Sequence, residues 1–223
     1  MHQRRQAISI LAACSTEARV EQLQRVLAGR TRYLTICLED IFQPQNASAA
    51  LRSCDAFGVQ DVHIVEQRNP FRLYRDVAMG SDKWLTLHRY GRQHEQPLPA
   101  AAAHLRQSGY RLVATTPRKD ARPIDELDLK TGRVALMFGA EYTGLSDAAM
   151  SAADELVTVP MYGFVESLNL SVCAAIALRQ LAQMLRRQGA AWQLDDDEKE
   201  ELLLTWLKKS VRHSDQILRR HGL

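Results

Sequence analysis

Short apolar runs alternate with amphipathic stretches along this chain. Five runs read as buried strands: Leu34–Leu38, Val62–Val65, Arg111–Thr115, Val134–Phe138 and Leu156–Pro160. Each is short, and most are rich in aliphatic or β-branched residues with turn-forming or polar neighbours, as expected for strands covered on both faces. The stretches between them carry helical periodicity. Residues 1–30 read as helix ending at Gly29, with Val20, Leu23, Val26 and Leu27 on one face. Asn46 opens a helix as its N-cap and Gly58 closes it, with Ala50, Leu51, Cys54 and Phe57 as its apolar face. Pro99–Ser108 is a helix closed by Gly109, and Ser146–Ala153 is a short one. A long helix runs from Ser167, as its cap, to about Gln188 and ends at Gly189. A last helix starts at Asp195-Asp196-Asp197 with a seam of Leu203, Trp206, Leu207, Val211 and Leu218. Residues 66–84 read as loop-rich.

Strands alternating with helices predict an α/β domain with a mostly parallel sheet and helices on both faces. The body spans residues 33–188, flanked by a basic helical extension over 1–32 and another over 189–223. No apolar run approaches the roughly 20 residues of a membrane helix.

Charge changes this picture. The whole chain carries +3, but residues 1–32 and 206–223 are each at +4, which leaves −5 for the middle, residues 33–205. Basic ends on an acidic middle suit a polyanionic partner held at the periphery, although two solvated helix faces would look the same. The four cysteines, Cys14, Cys37, Cys54 and Cys173, lack metal-ligand spacing and sit in apolar stretches, which predicts buried, reduced thiols and no metal. Leu11-Ala12-Ala13-Cys14 after Arg4-Arg5 mimics a lipoprotein box. Its apolar stretch is at the short limit for a signal core, and an ordinary amphipathic helix follows.

Several nucleotide and hydrolase chemistries are excluded. There is no G-x-G-x-x-G. Gly139 and Gly144 have the offset of a phosphate-binding loop, but Leu145 stands where that loop needs its lysine. No serine sits in a G-x-S-x-G elbow.

Three blocks carry candidate chemistry. In the first, Asn46 is followed six residues later by Arg52, whose guanidinium on a helix beside a strand end could grip a phosphate. The second, Gly139-Ala140-Glu141-Tyr142-Thr143-Gly144, follows the most apolar strand, at the usual ligand edge of an open α/β sheet. The third runs Pro160-Met161-Tyr162-Gly163 to Ser167-Leu168-Asn169. One at a time they read as a cap, a glycine turn and another cap.

Together, in this order and spacing, the blocks resemble the three motifs of the SpoU family of RNA ribose 2′-O-methyltransferases in the SPOUT superfamily. Gly80-Ser81-Asp82-Lys83-Trp84 and the basic N-terminal helix are similar to the TrmH branch, which methylates guanosine 18 in the D-loop of tRNA. The resemblance covers residues 1 to about 190. It implies a deep trefoil knot in the C-terminal part of the sheet, a homodimer, S-adenosylmethionine as cofactor and a cytoplasmic tRNA-modifying enzyme. By position it implies that Thr115, Gly139, Val159, Met161 and Leu168 line the cofactor pocket. Arg52 would be the central catalytic residue, helped by Asn46, Glu141, Ser167 and Asn169. A guanidinium is a poor base. Arg52 would therefore have to be exceptionally perturbed, or would stabilise the developing alkoxide while phosphate or water takes the proton. RNA backbone would be held by Arg4, Arg5, Arg19, Lys83, Lys208, Lys209 and Arg212. The alternatives are 2′-O-methylation of ribosomal RNA and, in another class, a non-catalytic RNA-binding protein on the same scaffold.

Overall fold

The computed structural model describes residues 2–91, 93–187 and 191–223. The chain divides into two units, Arg32–Trp192 and a smaller one formed by the segment through Thr31 together with Gln193–Leu223. The two basic ends, read separately in the sequence, thus share one unit.

The larger unit is built on β1 (Leu34–Glu39), β2 (Asp61–Val65), β3 (Thr86–Tyr90), β4 (Tyr110–Thr115), β5 (Arg122–Pro123), β6 (Arg133–Phe138) and β7 (Glu155–Thr158). They form one sheet in the order β3-β2-β1-β6-β4-β7-β5, and all the pairings are parallel. The two-residue alternation of strand side chains sorts the core. Leu34, Ile36 and Leu38 of β1 lie in register with Val134, Leu136 and Phe138 of β6 and face α3 (Pro44–Phe57) and α7 (Leu170–Arg187). Cys37, Ala135, Met137 and Leu112 face the other way, against α5 (Pro97–Gln107) and α6 (Asp147–Ala152). Each buried Leu or Ile contributes about 1.5–3 kcal/mol, so burial on both faces is what makes these runs so apolar.

Two strands were missed. β3 lies at the sheet edge and reads Thr-Leu-His-Arg-Tyr, mostly half-exposed and polar enough to pass for loop. β5 has only two residues. The segment before β3 also holds the one-turn α4 (Arg75–Ala78) and a short 3-10 turn, Ser81–Lys83. The predicted end of the long helix at Gln188 and its closure by Gly189 lie outside the described residues; the helix is described to Arg187.

A polar cluster lies under α5. The buried His63 stacks on His88 with ring centroids 4.6 Å apart. Its Nδ1 is 2.9 Å from the Tyr90 hydroxyl, which is 2.5 Å from Nδ1 of His104. Burial, with the neighbouring His88 and His104, pushes the His63 imidazole down to about 3, against the upward pull of Asp61.

In the smaller unit, residues 2–28 form two helices, α1 (His2–Ala13) and α2 (Glu17–Ala28), rather than one. Thr16 is the reason: its side chain accepts from the Arg19 amide and starts a new helix. The C-terminal helix is likewise split into α8 (Asp196–Ser210) and α9 (Ser214–Arg220), with His213 between them at φ 59°. Asp195 and Glu198 form a capping box for α8. Leu11, Leu23, Leu27, Leu202, Trp206, Leu207 and Leu218 are buried, and Arg30 stacks over Trp206. Cys37 and Cys54 are buried as expected, but Cys14, just past the end of α1, is exposed. No described helix is long and apolar enough to cross a membrane.

Candidate active site

The site lies beyond the C-terminal ends of β1 and β6. After β1 the chain turns through Asp40, at φ 55°, and enters α3 with Pro44 in its first turn. The proline makes Gln43 the cap position, so Asn46 is the third residue of the helix and not its cap. Its amide is therefore available for a tertiary contact. Asn46 is buried, and Nδ2 donates to Gln43 Oε1 at 3.0 Å and to Glu141 Oε1 at 2.8 Å.

Glu141 comes from the loop after β6. The two glycines of that loop serve its own shape. A Cβ on Gly139 would lie 2.1 Å from the Gly144 carbonyl carbon and the Leu145 nitrogen, so the close return of the chain requires glycine there. Gly144 itself sits at φ 69°, and its amide donates to the Ala140 carbonyl at 2.8 Å. This tight loop aims Glu141 at the start of α3, where it also accepts from the Phe42 and Gln43 amides at 3.2 and 3.3 Å. The carboxylate thus takes up amide donors of the turn that enters the helix. Beside it, the buried Glu39 at the end of β1 accepts from the Ser146 amide and hydroxyl at 2.9 and 2.7 Å, tying the far end of the same loop to β1.

The third block joins through Asn169. It donates from Nδ2 to Asn46 Oδ1 at 3.2 Å. Its Oδ1 accepts from the amide and hydroxyl of Ser171 at 2.9 and 2.6 Å, and its carbonyl accepts from Cys173. Asn169 thus caps α7, and the expected cap, Ser167, does not: Ser167 is exposed in the loop two residues earlier. The chain Asn169–Asn46–Glu141 therefore links all three blocks by side-chain hydrogen bonds.

Arg52 lies nearly two turns beyond Asn46 on α3, exposed, and makes no hydrogen bond or ion pair with the described residues. Ser48, one turn before Arg52 on the same helix, is fully buried and accepts the Tyr74 amide at 2.8 Å. Sequence reasoning missed Glu39, Gln43 and Ser48, whose roles depend on partners 26 or more residues away for Ser48 and Glu39. Pro44 was the available signal for Gln43.

Thr115, Gly139 and Val159 sit at or just past the ends of the neighbouring strands β4, β6 and β7. The Thr115 hydroxyl donates to the Met137 carbonyl at 2.7 Å. Val159, Met161 and Leu168 are half-buried, whereas Tyr162 and Phe164 between them are almost fully exposed. Among the described residues no group of three or more His, Cys, Asp or Glu could hold a metal ion.

The residues expected to meet RNA are distributed over both units. Arg4 and Arg5 pair with Asp197 and Glu200, Arg19 donates to Gln22 and Ser210, and Lys208 is 3.5 Å from Asp215. Lys83, Lys209 and Arg212 lie in the 3-10 turn before β3, in α8 and in the α8–α9 break.

The model of the SpoU rRNA methylase family matches residues 33–179. The chain is 37% identical over 206 residues to the tRNA (guanosine(18)-2′-O)-methyltransferase of Borreliella burgdorferi, covering 92% of each chain. Its structure is similar to that of the A. aeolicus TrmH/SpoU tRNA modifying enzyme, with a TM-score of 0.76, 26% identity and coverage of 88% of this chain and 98% of the other. It is also similar to an AdoMet-bound rRNA methyltransferase from Sinorhizobium meliloti, with a TM-score of 0.60, 25% identity and coverage of 72% and 60%.

Proposed function

The chain belongs to the SpoU rRNA methylase family, and on that premise we propose that it methylates the 2′-hydroxyl of a ribose in tRNA, at guanosine 18 of the D-loop, using S-adenosylmethionine. The observation that carries this reading is the Asn169–Asn46–Glu141 network, which joins three separated motifs into one site beside an unpaired arginine. The tRNA substrate is supported by the share of each relative that the chain covers. It spans 92% and 98% of the two tRNA-named proteins but 60% of the rRNA-named one.

The residues at the ends of β4, β6 and β7 fit the cofactor in kind. Val159, Met161 and Leu168 offer half-buried apolar surface for an adenine. The Thr115 hydroxyl is already committed to Met137, so Thr115 and Gly139 would contribute backbone groups. S-Adenosylmethionine, when bound, supplies an electrophilic methyl on a sulfonium leaving group. What this chain must add is positioning and charge. Arg52 meets the RNA with an exposed, uncommitted cation, holding a phosphate or the 2′-oxygen as negative charge develops there. It acts as a stabiliser: a guanidinium is a poor base, and no described acceptor touches it. The proton leaves to a phosphate oxygen or to water. Asn46, Glu141 and Asn169 hold the first turn of α3 so that Arg52 projects correctly. Ser167, exposed in the loop before α7, is placed to meet substrate.

The proposal extends to the rest of the family's pattern. The part of the sheet containing β6, β4 and β7 carries the trefoil knot. The enzyme is a cytoplasmic homodimer, and the exposed Tyr162, Phe164, Val165, Val172 and Ile176 are apolar surface that a second copy would cover. Arg4, Arg5, Arg19, Lys83, Lys208, Lys209 and Arg212 contact RNA backbone, with Arg4 and Arg5 exchanging carboxylate partners for phosphate.

The test is transfer from labelled S-adenosylmethionine to unmodified tRNA and ribosomal RNA transcripts offered in parallel. Label in tRNA alone supports the proposal. Label in ribosomal RNA alone moves the substrate to the alternative, and none in either RNA favours a non-catalytic RNA-binding role.

A further inference from the structure

The loop from Gln67 to Arg75 holds three arginines and no acid in nine residues, within the part of the chain that is otherwise acidic. It falls outside the three motifs and outside the basic ends. Arg68, Arg72 and Arg75 are all exposed. Arg72 and Arg75 make no side-chain hydrogen bond or ion pair with the described residues, and Arg68 has only a long contact to Asp40, at 3.9 Å. Several other arginines of the same unit are paired: Arg89 with Glu66, Arg106 with Asp154, Arg111 with Glu155 and Arg118 with Asp120.

The backbone that carries these cations is held firmly. Asp40 Oδ1 accepts from the amides of Gln67, Arg68 and Asn69 at 3.1, 2.7 and 2.8 Å. The Asn69 side chain donates back to the Asp40 carbonyl at 2.8 Å. Glu66 accepts the Phe71 amide at 2.7 Å, and Ser48 of α3 accepts the Tyr74 amide. Asp40 adopts φ 55° to make this possible. The far end of the loop is thereby fixed to α3 at Ser48, one helical turn before Arg52 and two residues after Asn46. Tyr74, between Arg72 and Arg75, is 45% exposed.

We infer that this loop is an RNA-binding element, in which Arg72 and Arg75 contact phosphates and Tyr74 offers a stacking face to a base near the target nucleotide; the inference rests on the proposed function. Unpaired guanidiniums interleaved with an exposed aromatic match the chemistry of an unstacked single-stranded RNA segment, with cations for the backbone and a π-face for the base. Fixed placement lowers the ordering cost of binding, which an otherwise solvated charge run would bear in full.

The test uses the full chain and an unmodified tRNA transcript, with R72A/R75A, R72K/R75K and Y74A compared with the parent. Filter binding is measured from 50 to 200 mM salt, and methyl transfer over a range of RNA concentrations. Loss of two phosphate contacts should lower the slope of log K against log salt by about 1.4–1.8. KM for RNA should rise about tenfold in R72A/R75A, with S-adenosylmethionine binding and the melting temperature held. The lysine pair should restore most of the salt slope, and Y74A should weaken binding with the slope unchanged. Parent-like RNA affinity and salt slope in R72A/R75A, while the parent methylates tRNA, would overturn the inference. A parent chain that neither binds nor methylates RNA would overturn the functional reading and this inference with it.

Discussion

Asn46 and Glu141, 95 residues apart, are joined by a 2.8 Å hydrogen bond from an amide to a carboxylate at the point where α3 begins. Only Asn46 is away from its expected station, the helix cap; Glu141 lies in the expected loop after β6. Asn46 is inside the helix, and Glu141 accepts amides belonging to the turn before it. Breaking the pair leaves a buried amide without its charged acceptor, at about 1–3 kcal/mol. Glu141→Ala should lower kcat by roughly 100-fold and reduce stability by a similar 1–3 kcal/mol, read by transfer kinetics and urea melts. Asn46→Asp should be worse than Asn46→Ala near neutral pH, because it sets two carboxylates at hydrogen-bonding distance, and should recover stability as the pH falls. Equal stability of the two variants across pH would contradict the geometry.

Arg52 has the opposite character: exposed, unpaired and outside the network. Arg52→Ala should lower transfer by about 1000-fold or more. S-Adenosylmethionine binding, measured by calorimetry, should stay within about twofold of the parent. Retained transfer above a few per cent would remove Arg52 from its role.

Gly139→Ala tests the loop that aims Glu141. Its Cβ would meet backbone atoms of Gly144 and Leu145 at 2.1–2.2 Å, which no rotamer can relieve. The loop must open, at roughly 1–3 kcal/mol or more, and kcat should fall with it. Gly144→Ala, strained at φ 69° but with open space around it, should cost about 1 kcal/mol. Denaturant midpoints of the two variants should fall in that order.

His63 makes the fold acid-sensitive. Its folded-state pKa, about 3, lies below the ordinary 6.5, because burial and the facing His88 and His104 disfavour the cation, while Asp61 opposes them. The unfolded chain therefore takes up a proton first as pH falls. The stability is complete above about pH 6.5 and drains between 6.5 and 3; at pH 5 this group alone accounts for about 2 kcal/mol. Chemical denaturation at pH 7.5 and pH 5 should show that loss, and His63→Gln should reduce the difference. An unchanged difference in the variant would assign the acid sensitivity elsewhere.

The central strands were legible because both faces are buried, which leaves a continuous apolar run such as Val134–Phe138. β3 was not, because an edge strand covered only in part can carry His88 and Arg89. Two helix starts were misplaced by one reading rule, that a Ser or Asn before an apolar stretch is the cap, although it holds for Ser146 at α6. Pro44 in the first turn overrides it for α3, and Asn169, whose Oδ1 reaches the Ser171 amide, competes with Ser167 for α7. The three motifs were visible by spacing, but their hydrogen bonds were not, since the Asn46 side chain could equally have capped its own helix through Oδ1. The buried role of Ser48 depends on Tyr74, 26 residues away, and no local pattern encodes it.

The most direct test of the central claim is identification of the modified nucleoside. Unmodified tRNA transcript is incubated with the chain and S-adenosylmethionine, digested, and mapped by mass spectrometry. The expected product is 2′-O-methylguanosine at position 18 of the D-loop, absent with Arg52→Ala. A methyl group on a base, or a tRNA left unmodified by an intact chain that binds the cofactor, would contradict it.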